Sequence, residues 1–428
     1  MREMKDSGVE WIGEIPVDWT ISKVGVFYDI TLGKMLQPRP NANDTLEEYL
    51  CAANVGNNKL TLTNIKKMWF SDEEKETYRL HKGDLLVVEG GDIASSAILD
   101  YEPENLFFQN ALHRVTPKNS TNSFLRYWLI AAKATGYFDI ICNKATIAHF
   151  TKAKFTALPF VPLDISAQNR ISLFLDAKAR GIDALIANNE AQIEQLRQYK
   201  QSLITETVTH GFDPEAPMKD SGVEWIREIP ESWTISRIKD KFSLRNERNY
   251  EPLEDVNLIS LYTDKGVVQH SDLTETTGNR AVTADGYKKV YRNDIVVNII
   301  LCWMGAVGMS NYDGVTSPAY DVYQPKAGTL SRYYHYLFRT ARFSGECFRY
   351  GRGIMLMRWR TYSDEFTAIK IPVPPPEVQR KIVKFLDEKC GEIDALISLK
   401  RDKIEKLKQY RQSLIYEYVT GKKAVLEQ

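Results

Sequence analysis

The chain has 428 residues, of which 43% are apolar and 26% charged, with 56 basic side chains against 56 acidic ones. That length allows roughly two to four domains with cores of their own. A net charge of zero excludes a protein that coats nucleic acid indiscriminately, though not one with localised basic patches. No run of about 18 apolar residues occurs, so no transmembrane helix is expected. The N-terminus, MREMKDSGVEW, lacks the apolar stretch of a signal peptide. Cys51, Cys142, Cys302, Cys347 and Cys390 are scattered, with no CxxC pair. That excludes a disulfide framework and a zinc site of the usual spacing, and it fits a reducing cytoplasm.

In chain order the first element is a short tryptophan-rich leader, MKDSGVEWIGEIPVDWTIS at 4–22. It returns at 218–236 as MKDSGVEWIREIPESWTIS, identical at 16 of 19 positions. Repetition of this kind sets the organisation of the whole chain. A variable block follows the first leader, over about 23–160. In it Gly83-Asp84-Leu85-Leu86-Val87-Val88 predicts a turn entering a buried strand. Residues 124–138 predict a helix, and ALPFVPL a strand punctuated by proline. A long helix comes next. Ile182, Leu185, Ile186, Ile193, Leu196 and Leu203 form one apolar stripe at helical spacing. Asp164 or Ser166 can cap its start, and Gly211 ends it.

The second copy repeats this order. After its leader, a block over about 237–371 carries Asn293-Asp294-Ile295-Val296-Val297, a predicted helix at 330–348, and the strand IKIPVPPP. The second long helix starts at Pro374-Pro375-Pro376-Glu377, with proline in the first turn and an acid behind it. Its stripe is Ile393, Leu396, Ile397, Ile404, Leu407 and Leu414, and Gly421 ends it. FLD, IDALI, QY and QSLI recur in both helices.

Each helix is about 44 residues, or roughly 65 Å at 1.5 Å per residue. A stripe that long finds no partner within its own helix. The other copy is the simplest one, giving a two-stranded coiled coil. The blocks turn the chain back, which favours the antiparallel arrangement. Asn189 and Lys400 fall on the apolar rows, either as register-setting residues or as edge positions. The expected fold is α+β, with two globular mixed α/β blocks separated by two long helices in an antiparallel coiled coil. Its order is pseudo-twofold and circular, bringing residues 1–22 close to 410–428. The segments are 1–22, 23–161, 162–217, 218–236, 237–372 and 373–428.

Catalytic signatures are absent. There is no Walker A loop, no HExxH, no Asn- or Asp-Pro-Pro-aromatic motif and no nuclease-type carboxylate arrangement. Glu89 and Asp92 could form a metal pair, but they read more simply as a polar loop after a strand. The charge distribution says more. Residues 23–158 hold 16 basic and 15 acidic side chains, and 237–370 hold 19 and 15. Within the second block RYGRGIMLMRWR carries Arg349, Arg352, Arg358 and Arg360 with no acid. Arginine beside glycine and aromatics suits close approach to phosphates and base edges, and a solvated basic loop is the plainer reading. Arg245, Arg248 and Lys265 are further candidates in this block. The first block offers Lys34, Gln37 and Arg39 on one turn, Asn58 and Lys59 on another, and Lys144, Thr146 and Lys152 in NKATIAHFTKAK.

The IPxxW leaders, the helices entered through Pro…Gln-x-x-Ile (Pro162…Gln168, Pro374…Gln379) and the recurring FLD, IDALI and QSLI resemble the specificity subunit of type I restriction–modification systems. The likeness covers essentially the whole chain. One departure is Ala167 and Val378, where the family commonly has glutamate before the glutamine.

The resemblance implies a subunit with no catalytic centre and no cofactor of its own, in the cytoplasm and away from membranes. Its two blocks are target recognition domains, each reading half of a bipartite site in double-stranded DNA. The helices set the spacer. Two methylation subunits, which bind S-adenosylmethionine, dock on the repeated parts. Two restriction subunits, which bind ATP and magnesium, join through them. Trp11, Trp19, Trp225 and Trp233 are candidates for that docking or for packing at the helix ends. Two rival classes stand beside this one: a structural coiled-coil adaptor, and a methyltransferase or nuclease with a divergent site.

Overall fold

The computed structural model describes residues 2–425, apart from 42, 57–58, 143–148, 273–282 and 354–358. The chain divides into two compact units, Met1–Asn189 with Arg401–Gln428, and Glu190–Lys400.

In the first unit the leader is a hairpin of β1 (Met4–Asp6) and β2 (Glu14–Pro16). Its apolar residues Trp11, Ile12 and Ile15 are buried. β3 (Ser22–Lys23) and β4 (Tyr28–Leu32) lead into the block. The block's main sheet adds β5 (Leu85–Val88), β6 (Ser96–Ile98) and β7 (Leu112–Pro117), in the order β6-β5-β7-β4, all antiparallel. β5 is the strand expected after Gly83-Asp84. It is apolar throughout because both its faces are covered. Leu85 and Val87 face one core, Leu86 and Val88 another, following the two-residue alternation of a strand.

The helix expected over 124–138 is two: α1 (Asn122–Ala134) and α2 (Tyr137–Ile141). Gly136 between them has φ +75°, which a continuing helix does not accept. The proline-marked strand is β8 (Pro159–Phe160), paired to β3. The chain then enters α3 (Ile165–His210).

The second unit repeats the plan. Its leader hairpin is β9 (Met218–Asp220) with β10 (Glu228–Pro230). β11 (Thr234–Arg237) and β12 (Phe242–Leu244) follow. β13 (Ile295–Asn298), β14 (Val307–Met309) and β15 (Tyr320–Pro325) complete a sheet in the order β14-β13-β15-β12. That is the strand order of the first unit, reached with little shared sequence. The helix expected over 330–348 is again broken, into α4 (Ser331–Phe338) and α5 (Ala341–Tyr350), where Thr340 caps α5 by accepting from the Phe343 N–H at 3.3 Å. β16 (Lys370–Val373) pairs with β11 and delivers the chain into α6 (Pro376–Val419).

Both helix entries use the glutamine of Gln-x-x-Ile. Asp164 caps α3, accepting from the Ala167 N–H at 2.8 Å. The buried Oε1 of Gln168 accepts from Ser120 Oγ, Thr121 N–H and Thr121 Oγ1 at 2.9, 2.8 and 3.0 Å. Its amide donates to the Leu163 carbonyl at 2.7 Å. One side chain thus ties the helix to the block. In α6 the amide of Gln379 donates to the Pro374 carbonyl at 2.9 Å, but Oε1 has no partner. The aspartates of FLD also serve the blocks. Asp176 accepts from Tyr127 at 2.6 Å and Arg126 at 2.8 Å, and Asp387 accepts from Tyr336 at 2.5 Å and Arg332 at 2.8 Å.

Within each unit the stretches of α3 and α6 run antiparallel. In the first, Phe174 meets Tyr418 at 4.5 Å and Arg411 donates to Asp183 at 2.5 Å. In the second, Lys200 donates to Asp394 at 2.7 Å, and Phe212, just beyond the end of α3, meets Phe385 at 6.0 Å. Rising numbers on one helix face falling numbers on the other. Ile182, Ile193, Ile393, Ile397, Ile404 and Leu414 are buried, and Ile186, Leu196, Leu203 and Leu407 half-buried. Full burial of such a side chain stabilises by about 1.5–3 kcal/mol.

Leu185 and Leu396 depart from the expected stripe, each 47% exposed. The buried row runs Ile182, Ile186, Asn189, Ile193. A residue three places after Ile182 lies 60° back around the helix, on the flank of that row. Asn189 is buried and donates to the Leu185 carbonyl at 2.7 Å, whereas Lys400 is half-buried and bonded to Gln192. The leader at 1–22 sits against the end of α6, as the circular order requires. Lys422 donates to the Ile12 and Glu14 carbonyls at 2.7 and 3.0 Å, and Tyr416 to Ile12 at 2.9 Å.

Candidate nucleic-acid interface

In the second unit the two described ends of the arginine-rich segment form a paired base. The Arg352 N–H donates to the Arg360 carbonyl at 2.9 Å, and the Arg360 N–H returns the bond at 3.0 Å. Trp359 fixes this base. Its ring stacks on Phe348 at 4.8 Å, and its Nε1–H donates to the Phe348 carbonyl at 3.0 Å. Glycine is required at 351, because a Cβ there would lie 2.5 Å from Trp359 Nε1. Thr361 ties the base to α5, donating to the Cys347 carbonyl at 2.9 Å.

Two of the four arginines of this segment, Arg352 and Arg360, therefore stand together. Arg352 and Arg360 are exposed. Arg352 lies over Tyr362 and pairs with Glu365 at 3.0 Å. Arg349 is held by both oxygens of Glu346 at 2.9 and 2.7 Å, which holds its guanidinium firmly charged. Arg358 lies outside the described residues.

The other candidates of this unit separate. Arg248 and Lys265 are exposed, Lys265 over the Tyr262 ring. Arg245 is not available for a ligand. Its fork grips Asp294 at 2.8 and 3.1 Å and a further N–H binds Glu247. Burial pushes the Asp294 carboxyl up, and the bond from Arg245 works against that. The pair anchors the turn before β13.

In the first unit Arg39 and Lys59 are exposed, and so is Lys152, at the start of a short helix over Lys152–Ala157. Gln37 is half-buried and donates to Asp44 at 2.6 Å. Lys34 corrects the sequence expectation. It is 5% exposed, bonded to Glu74 and placed over Phe70. Burial opposes the Glu74 charge, yet the bonds from Lys34 and the Ser71 N–H hold that carboxyl below its usual range. Lys34 was legible as a basic residue on a turn, but its burial depends on strands far away in sequence. Asn58, Lys144 and Thr146 lie outside the described residues.

Asp92, one half of the possible metal pair, is held by Lys133 at 2.5 Å and bonded to Ser95. Among the described residues no three His, Cys, Asp or Glu side chains gather as metal ligands. Nor is any described helix long and apolar enough to cross a membrane.

The leader tryptophans pack within their own units. Trp11 is buried against Trp128 at 5.0 Å and Tyr137 at 5.7 Å. Trp19 lies against Gly421, and the buried Trp233 against Gly211. Trp225 meets Phe343 at 5.9 Å and donates to the Lys370 carbonyl at 3.2 Å. Trp359 and Phe348 are the pair that sequence reading missed, and they hold the ends of the arginine-rich segment in place. Their signal was Gly351 eight residues before a tryptophan, inside an arginine-rich run.

Comparison with known proteins gives the following. A model of the family described as type I restriction modification DNA specificity domain matches residues 16–195 and again 230–409. A protein assigned as the specificity subunit of the type I restriction enzyme MjaX of Methanocaldococcus jannaschii is 23% identical over 426 residues, 96% of this chain and 95% of its own. A chain from a structure on complex assembly and conformational transition of the type I R-M system shares the fold with a TM-score of 0.67 at 12% identity, covering 95% of this chain and 98% of that one. The HsdS subunit from Thermoanaerobacter tengcongensis does so with a TM-score of 0.54 at 14% identity, over the same shares.

Proposed function

Because the chain belongs to the type I restriction–modification DNA specificity family, we propose that it is the specificity subunit of such a system, without a catalytic centre of its own. Residues 23–161 and 237–372 are its two recognition domains. Each reads one half of a bipartite, asymmetric site in double-stranded DNA. The observation that carries this reading is the double family match, each copy running from the end of a leader through its block and into its long helix. A structural adaptor would need no second, dissimilar block on a repeated frame.

Two finer points belong to the same proposal. The paired helices act as a ruler that sets the unspecific spacer between the half-sites. The repeated leaders and helices dock two adenine-N6 methylation subunits, which bind S-adenosylmethionine. Restriction subunits, two in number, join through those and bring ATP and magnesium. Base reading falls to exposed side chains such as Arg352 and Arg360, which can form the bidentate contacts that guanine edges accept.

The test is methylome mapping in cells that express the chain with its methylation subunit. The expected result is methylated adenines in a two-part motif with a fixed gap. Replacing 237–372 by the matching block of another family member should change one half of that motif only. A single uninterrupted motif, or a motif altered in both halves, would overturn the reading.

A further inference from the structure

Arg352 is held in a way that leaves one of its edges free. Its Nε lies 3.0 Å from Glu365 Oε1, and its guanidinium carbon stands 5.1 Å over the centre of the Tyr362 ring. Its Nη1 and Nη2 donate no hydrogen bond among the described residues. The carboxylate thus takes the Nε side and the ring takes one face. What remains is the Nη1–Nη2 edge, a pair of neighbouring donors from which the O6 and N7 of guanine can accept.

Both partners rest on fixed backbone. Arg352 exchanges two backbone bonds with Arg360 at 2.9 and 3.0 Å. Tyr362 caps, and Glu365 belongs to, the short helix Ser363–Ala368, whose Phe366 is buried. Ser363 Oγ donates to Asp321 at 2.6 Å, and the buried Asp321 also accepts from Lys288 at 2.8 Å. Stability does not account for Glu365. Its side chain is 19% exposed, and its Oε2 is buried without a hydrogen bond among the described residues. An unbonded buried carboxylate oxygen opposes folding. The pair to an arginine side chain that is 71% exposed returns little, because water screens it.

We propose that Glu365, with Tyr362 behind the guanidinium, is a positioning residue that aims Arg352 at a guanine in the half-site read by 237–372. This rests on the recognition role proposed above and adds the base and the residues that aim at it. The target is a base edge rather than a phosphate. Glu365 offsets the charge that draws an arginine to phosphate, whereas a neutral guanine edge asks for direction. A side chain held beforehand also loses less rotamer freedom on binding. Arg360 is exposed and has no side-chain partner among the described residues, so it lacks this hold.

The experiment uses the full chain with its methylation subunit. Methylome mapping of the wild type gives the motif. Competition binding then compares duplexes carrying guanine or 7-deazaguanine, which lacks N7, at each guanine of the half-site on either strand. The wild type should prefer guanine at one position by about tenfold. Arg352→Ala and Glu365→Ala should both lose that preference, at that position and no other. Glu365→Gln, which keeps an oxygen beside Nε, should regain part of it. The affinity of Glu365→Ala for an unrelated duplex should hold or rise, whereas a merely structural role would weaken binding to every duplex. Should Glu365→Ala melt below the wild type, Tyr362→Ala takes its place, with loss at the same position expected. A half-site without guanine, full preference in a folded Glu365→Ala, or full preference in Arg352→Ala would each overturn the proposal and leave the recognition role intact. A wild type that gives no two-part motif would overturn the recognition role and the proposal with it.

Discussion

The ammonium of Lys422 donates to the backbone carbonyl of Ile12 at 2.7 Å, joining the C-terminal end of the second long helix to the first leader. Gly421 beside it has φ +75°, and a Cβ there would lie 2.6 Å from the Trp19 ring. Gly211 ends the other helix with φ +81°, but a Cβ there would stand 3.6 Å from Trp233. Gly421→Ala therefore adds a clash to backbone strain and should cost about 2–3 kcal/mol, against about 1 kcal/mol for Gly211→Ala. Thermal unfolding of the two variants checks the ranking, and equal losses would contradict it.

The two Gln-x-x-Ile glutamines should also differ. Gln168→Ala strands three donors at Ser120 and Thr121 and should cost about 2–3 kcal/mol. Gln379→Ala removes a single bond to Pro374 and should cost about 1 kcal/mol. Urea unfolding of both variants measures the difference.

Acid should weaken the first unit through His113. The imidazole is fully buried, and its nitrogen Nε2 bonds the Phe150 carbonyl at 2.8 Å while Nδ1 has no partner. Burial pushes its pKa down, and the Phe150 carbonyl only partly offsets this. The unfolded chain then binds the extra proton first. Stability is complete above the ordinary histidine pKa of about 6.5 and falls as pH drops below it, by up to about 1.4 kcal/mol per pH unit. In His113→Gln, which can still donate to Phe150, that slope should shrink between pH 6.5 and 5.

Replacing Arg352 or Arg360 by alanine should cost about 1–3 kcal/mol of DNA binding and relax one base of one half-site if the side chain reads a base. If it meets only phosphate, binding should weaken evenly and the salt slope fall by about one unit. Lys34→Met should behave differently. It leaves Glu74 without its buried partner and should cost about 2 kcal/mol of stability with no change in salt slope. Anisotropy titrations at several salt concentrations, with melting curves beside them, separate the cases.

The proposed ruler can be shortened. Removing seven residues from each long helix at matched depth keeps both apolar rows in phase. It takes about 10 Å from the pair, or roughly three base pairs at 3.4 Å rise. The half-site sequences should stay the same while the preferred spacer shortens, with a loss of affinity as the recognition domains leave their groove phase. Methylome mapping of the shortened variant reads both, and altered half-sites over an unchanged spacer would rule the helices out as the ruler.

The repeat, the α+β class and the two long helices were all legible in the sequence, because leader identity and helical apolar spacing are local signals. So was the buried strand after Gly83-Asp84 and Asn293-Asp294. The break of each block helix was not. Gly136 and Thr340 were visible, but neither glycine nor threonine alone says whether a helix stops. Burial was decided by tertiary structure. Lys34 and Arg245 look like any basic turn residue until a helix and a turn distant in sequence bring Glu74 and Asp294 to them. Leu185 and Leu396 look like core residues because they fit the helical spacing. The antiparallel register, fixed by Asp183 with Arg411 and Asp394 with Lys200, turns the neighbouring isoleucines inward and leaves both leucines in water. Local chemistry fixes which elements form, whereas the partner each side chain meets depends on contacts that no sequence window contains.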